Sequence, residues 1–184
     1  MHRLLIVKPI LIMAVLALTL SGAAASAEEF SARFSGFQEV GGVGAGQTGA
    51  ILSDGTATLR LNLDKNADTM TYQLTYADLS AAVTQAHIHF GKRHVGGGII
   101  VFLCTNLANG PAGTPACPAG GGTVTGSITA AGIVAIPGQN VTAGDFNALE
   151  ALLKSNTAYG NIHTAKFPAG EIRGQIHGGG NADK

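Results

Sequence analysis

The chain has 184 residues, its 11 basic and 11 acidic side chains balance to a formal net charge of zero, and charged residues make up only 12%. Charge this sparse and even offers no basic stripe for phosphates, which excludes a nucleic-acid partner. Aromatic content of 5% with no tryptophan weakens a carbohydrate-stacking function.

In chain order, His2, Arg3 and Lys8 give a basic start, an apolar run follows from Ile10 to Leu20, and Ala25-Ser26-Ala27 supplies a small-x-small cleavage site. This predicts an export signal over 1–27, cleaved after Ala27. Its apolar core of about 11 residues falls short of the ~20 needed to span a bilayer. No later stretch is long and apolar enough, so no transmembrane anchor is expected after cleavage and the product is expected to be secreted or periplasmic. Removing 27 of 184 residues leaves 157, the size of one domain, predicted over 28–178 with a flexible tail at 179–184. Loss of Arg3 and Lys8 leaves nine basic residues against 11 acidic ones, a net charge of about −2.

Phe30-Ser31-Ala32-Arg33-Phe34-Ser35 alternates as a first strand with Phe30, Ala32 and Phe34 inward. Glycines at 41, 42, 44, 46 and 49 then make a loop. Thr56 to Leu63 alternates most clearly, with Ala57, Leu59, Leu61 and Leu63 on the buried face. After turn chemistry at Asp64-Lys65-Asn66-Ala67-Asp68, the Met70 to Tyr76 run alternates again, so these two strands are predicted to form a hairpin. A strand from Val83 to Phe90 follows, carrying Ala86-His87-Ile88-His89-Phe90-Gly91. Side chains of a strand alternate between faces, so His87 and His89 share one face with Gln85, while Ala86, Ile88 and Phe90 take the other.

The Gly96-Gly97-Gly98 run lacks the Lys-Ser/Thr of a phosphate loop and is taken as a turn. Ile99 to Leu103 is continuously apolar, as expected of a segment covered on both faces. Cys104 and Cys117 lie in a Gly/Pro/Ala-rich segment, where an exported chain is expected to form a structural disulfide. Thr123 to Thr129 alternates with small residues, suggesting an edge or close-packed strand. One short helix is predicted near 143–154: Thr142 and Asp145 resemble a capping box, and Phe146, Leu149, Leu152 and Leu153 recur at helical spacing. Tyr159 to Thr164, containing Asn161-Ile162-His163-Thr164, and Glu171 to His177 complete about eight strands. The pattern predicts an all-β antiparallel sandwich or barrel. Asn140-Val141-Thr142 matches a glycosylation acceptor, which matters only where the host glycosylates.

Three blocks together resemble the chordin-type (CHRD) domain family: Phe30 through Glu39-Val40, Ala86-His87-Ile88-His89, and Asn161-Ile162-His163-Thr164 through Phe167-Pro168-Ala169-Gly170-Glu171-Ile172-Arg173-Gly174-Gln175-Ile176. Where the family shows prolines after the opening Glu-Val, this chain has Gly41-Gly42. The resemblance implies an immunoglobulin-like β-barrel, faintly similar to copper-zinc superoxide dismutases, with no established activity. It also implies an exported module acting on an extracytoplasmic protein or surface ligand. His-Ile-His resembles the paired copper histidines of the dismutase, but the sequence offers no counterpart of its bridging histidine or zinc-loop residues.

Two roles compete for the histidines. A pair at i, i+2 on a strand presents two neutral nitrogens able to chelate Cu or Zn, with His163 as a third ligand if its strand lies adjacent. Alternatively His87 and His163 hydrogen-bond neighbouring strands together, with Glu171, Arg173 and Gln175 in a structural polar network and Glu171 pairing with Arg173. His94 and His177, in or beside glycine loops, either swing in or stay solvated. No nucleophile-base motif appears, so no catalytic residue is assigned and a non-enzymatic binding or structural module is the first expectation. A copper- or zinc-binding, dismutase-like protein is the alternative.

Overall fold

The computed structural model describes residues 27–41 and 49–179. The expected signal, but for Ala27, and the expected tail, but for Gly179, lie outside the described residues. Nine strands and one α-helix follow one another: β1 (Glu28–Phe34), β2 (Thr56–Asp64), β3 (Thr69–Ala77), β4 (Val83–Phe90), β5 (Gly98–Thr105), β6 (Gly122–Ile128), α1 (Phe146–Lys154), β7 (Ala158–Thr164), β8 (Ile172–Gln175) and β9 (His177–Gly178). They pair antiparallel into two sheets, in the orders β6-β3-β2-β1-β9 and β5-β4-β7-β8. The result is an all-β sandwich, not a closed barrel. No helix among the described residues is long and apolar enough to cross a membrane.

The alternating strands bury the faces their sequences dictate. Leu59, Leu61, Leu63, Met70 and Leu74 of the β2–β3 hairpin lie at 1% exposure or less, and the hairpin keeps one register from Thr56↔Ala77 to Asp64↔Thr69. Asp64 closes its turn by accepting from the Asn66 and Ala67 backbone N–H groups at 2.9 and 3.3 Å. Ile88, Ile100, Leu103, Ile162 and Ile172 of the second sheet complete the core. The sheets approach most closely where Phe34 of β1 lies against Gly160 of β7 and Gly174 of β8, which face each other across the ladder. A Cβ on Gly174 would sit 2.8 Å from the Phe34 ring, so only glycine fits there.

Three local features differ from the sequence reading. The Ile99–Leu103 run is buried or half-buried throughout, as a segment covered on both faces would be, but its strand is bulged. Its register against β4 slips between Ala86 and His87 and again between Ile88 and His89, inserting Leu103 and Ile100 as extra residues. Bulges break strict alternation, so the adjacent pairs Ile100-Val101 and Leu103-Cys104 are all buried while Phe102 is half-buried. The helix begins at Phe146 rather than near 143, because Asp145 itself is the N-cap and accepts from Ala148 N–H at 2.9 Å. The final strand is split: β8 belongs to the second sheet, and β9 joins β1 in the first. Ser35 and Arg173 exchange backbone hydrogen bonds of 3.0 and 3.2 Å, tying the two sheets at that edge. As its small residues suggest, β6 is an edge strand.

A candidate metal centre of three buried histidines

Because β4, β7 and β8 are neighbours, their cross-strand partners share a face. Gln85 lies opposite His163, His87 opposite Asn161 and His89 opposite Tyr159. Asn161 and Tyr159 in turn lie opposite Arg173 and Gln175. Gly160 and Gly174 point at Phe34 in the core, so these polar residues occupy the face turned away from the other sheet. That face is not open to water: His87, His89 and His163 are 0, 8 and 8% exposed. Their roof includes the 91–97 loop and the turn through Pro168, whose carbonyls meet the imidazoles.

The hydrogen bonds fix all three tautomers, since a carbonyl only accepts. His163 Nδ1 lies 2.9 Å from Pro168 O and must carry the proton, leaving its Nε2 as a lone pair. His87 Nδ1 lies 3.2 Å from that Nε2 and therefore donates to it. His89 Nδ1 donates to Gly97 O at 3.0 Å. The Nε2 atoms of His87 and His89 are then lone pairs, both buried and both without a partner. One potential ligand nitrogen from each ring lies within 4.8 Å of the other two. A tetrahedral ion with bonds of about 2.0–2.1 Å draws such atoms to about 3.4 Å.

Electrostatics keep the rings in the ligating form. Burial pushes the His87 pKa down to about 2, with the His163 and His89 charges adding to the effect. Burial likewise lowers His89 to about 4, against the opposing pull of its bond to Gly97 O. His163 is lowered too, chiefly by burial, while the Pro168 carbonyl and the Glu39 charge act upward. All three imidazoles are neutral at pH 7, as coordination requires.

The walls orient the rings. Phe102 meets His87 edge-on at 4.4 Å, and Tyr159 stacks on His89 at 4.7 Å with 3° between the planes. The Arg173 guanidinium sits 3.4 Å from the Tyr159 ring centroid. Gly97 joins this column to the loop, donating its N–H to Tyr159 Oη at 3.1 Å while its carbonyl receives His89. Gln175 Nε2 donates to Gly91 O and Asn156 O at 3.1 and 3.0 Å.

The other sequence candidates divide. Arg173 and Gln175 stand on the histidine face, but Glu171 does not pair with Arg173. Its Oε1 accepts from Ser53 Oγ at 2.6 Å and Ser80 N–H at 2.8 Å, and its Oε2 from Thr164 Oγ1 at 2.7 Å. Lying one residue before β8, it anchors the 53 and 80 loops instead. His94 is exposed and His177 half-buried, and neither belongs to the cluster. Sequence reasoning missed Glu39, which is 5% exposed. Its Oε1 accepts from the Val40 and Gly41 N–H groups at 2.8 and 2.9 Å, and its Oε2 receives Asn161 Nδ2. The missed Asn161 and Tyr159 were within reach of alternation, being two and four residues before His163. Cys104 and Cys117 are disulfide-bonded, their Cα atoms 5.1 Å apart.

These features define a two-sheet β-sandwich with a buried, three-imidazole chamber on the outer face of one sheet. The model of the CHRD domain matches residues 30–176, and the chain belongs to that family. No curated protein and no solved structure matches it.

Proposed function

We propose that this CHRD-domain protein is an exported binding module whose ligand is a transition-metal ion, copper or zinc, held by His87, His89 and His163. The observation that carries the reading is the pair of buried, unpartnered Nε2 lone pairs on His87 and His89. A purely structural histidine is buried because its nitrogens find partners, and an unsatisfied buried polar atom costs about 1–3 kcal/mol. Coordination supplies the missing partner. The backbone carbonyls holding the Nδ1 protons of His89 and His163 are the outer-shell device that fixes a ligating tautomer. Imidazole donors without thiolate suit copper and zinc.

Export is supported by the sequence of residues 1–27, the disulfide and the family. The protein then works in the cell envelope or the extracellular space. The His87–His163 hydrogen bond fastens β4 to β7, which favours a structural contribution from the same residues, and it occupies the His163 Nε2 lone pair, so ligation by His163 requires that bond to open. Dismutase-like turnover requires substrate to approach the ion, and rings 0–8% exposed oppose that, so the function offered is binding.

Thermal melts of wild type, His87→Ala and His163→Ala, each with and without added Cu or Zn, test the reading. A ligand that binds the folded state at 100 times its Kd adds about 2.7 kcal/mol. That gain is expected in wild type and lost in both variants. Equal responses in all three proteins would place any metal elsewhere.

A further inference from the structure

Beside the Tyr159–Arg173 stack, Gln38, Arg93, His94, Arg173 and Gln175 line a cavity of about 220 Å³. Its floor is buried, Arg173 and Gln175 being 2 and 5% exposed. Its rim is the exposed Arg93-His94 pair, with His94 held at a φ of 62°. A non-glycine residue in the left-handed region is strained, and such strain concentrates at ligand sites.

The charges here do not balance locally. Ion pairs among the described residues engage Lys65 and Lys154, and none engages Arg93 or Arg173. Arg173 Nη2 donates to Lys92 O and Val95 O at 2.9 and 3.0 Å, while Nη1 is buried with no partner. Glu39 is the carboxylate whose field reaches this guanidinium, and its oxygens are occupied by Val40, Gly41 and Asn161. A buried guanidinium without a paired anion is costly, and an oxyanion is its natural complement. One atom breaks the run of donors. Gln175 spends both Nε2 hydrogens on Gly91 O and Asn156 O, which orients Oε1 as a buried acceptor with no donor.

We propose that this pocket binds a small oxyanion that also carries a hydroxyl, of the hydrogenphosphate class. Its anionic oxygens accept from Arg173 and Arg93, and its P–OH donates to Gln175 Oε1. Sulfate has the same shape but no proton to give, so it leaves Gln175 unsatisfied. The site shares the Tyr159 column with the histidines but uses none of them, so it stands whether or not they hold a metal.

The test is a titration of the full exported chain with inorganic phosphate at constant ionic strength, followed by amide NMR, with sulfate run in parallel. Saturable shifts confined to the 91–97 loop and the Gln175 side-chain amide are expected, with phosphate the tighter ligand. Arg93→Ala, a change at an exposed rim position that leaves the core intact, is expected to weaken phosphate about tenfold. Shifts that never saturate, or an unchanged affinity in Arg93→Ala, would overturn the site. Equal affinities for sulfate and phosphate would overturn the hydrogenphosphate assignment.

Discussion

A neutral imidazole enclosed by protein resists protonation, and the three histidines here do so together. In the metal-free protein the folded-state pKa values of His89 and His87, about 4 and about 2, lie below the ordinary 6.5. As pH falls below 6.5 the unfolded chain therefore takes up protons that the folded chain refuses. Stability is full above that value and declines on acidification, by up to about 1.4 kcal/mol per pH unit for each histidine. Glu171 also has a depressed pKa, set by Ser53, Thr164 and Ser80 against the cost of its burial, but its contribution is lost only as pH falls below the carboxylate range near 4.5. The interval from 6.5 to 5 thus isolates the histidines. Denaturant midpoints of the metal-free protein are expected to fall steadily across it; a flat profile would show the rings solvated. The shared face of His87 and His89 was legible in the sequence, because period-two alternation is local. Their burial was not, because it depends on Pro168 and Gly97, carbonyls supplied by distant turns with no side-chain signature. Glu39 escaped for the same reason: it acts through Asn161, 122 residues away.

At the scale of elements, alternation located most strands, a continuous apolar run located β5, and the misreadings have local physical causes. Nothing in Ile99–Leu103 announces two bulges, since a continuous apolar run suits a strand covered twice as well as one that turns adjacent residues inward. The end of β8 was equally hidden, because Ile176 continues the same pattern into β9 while the chain changes sheets. The Phe34 contact shows how tightly that edge is fitted. Gly160→Ala or Gly174→Ala drives a methyl group into the Phe34 ring, and overpacking of this kind costs about 1–3 kcal/mol. Urea unfolding of either variant is expected to show that loss. Unchanged stability would mean the sheets are not held at this spacing. The loop closed by Cys104 and Cys117 spans 13 residues, for which chain entropy gives about 3 kcal/mol. Asn106 braces the same loop, donating to Val83 O and Cys117 O at 2.9 Å each and accepting from Cys117 N–H at 3.0 Å. The double variant Cys104→Ser, Cys117→Ser is therefore expected to lose about 2–4 kcal/mol yet keep its fold. Loss of near-UV structure at neutral pH would contradict that.

Across the whole molecule, the sandwich brings together side chains that lie 76 residues apart, as His87 and His163 do. The first sheet supplies a conventional apolar floor through Phe34. The second sheet turns its outer face into a chamber by covering polar residues with loops. A family match over residues 30–176 says that this is a CHRD domain, and the buried cluster of His87, His89 and His163 is what our proposal of metal binding rests on. The most direct measurement is the metal content of the protein, purified natively without chelators, beside that of His89→Ala shown to be folded by its far-UV spectrum. One equivalent of copper or zinc per wild-type chain, absent from the variant, is the result expected. A wild-type chain that carries no metal and takes up none from buffered copper or zinc would contradict the central claim.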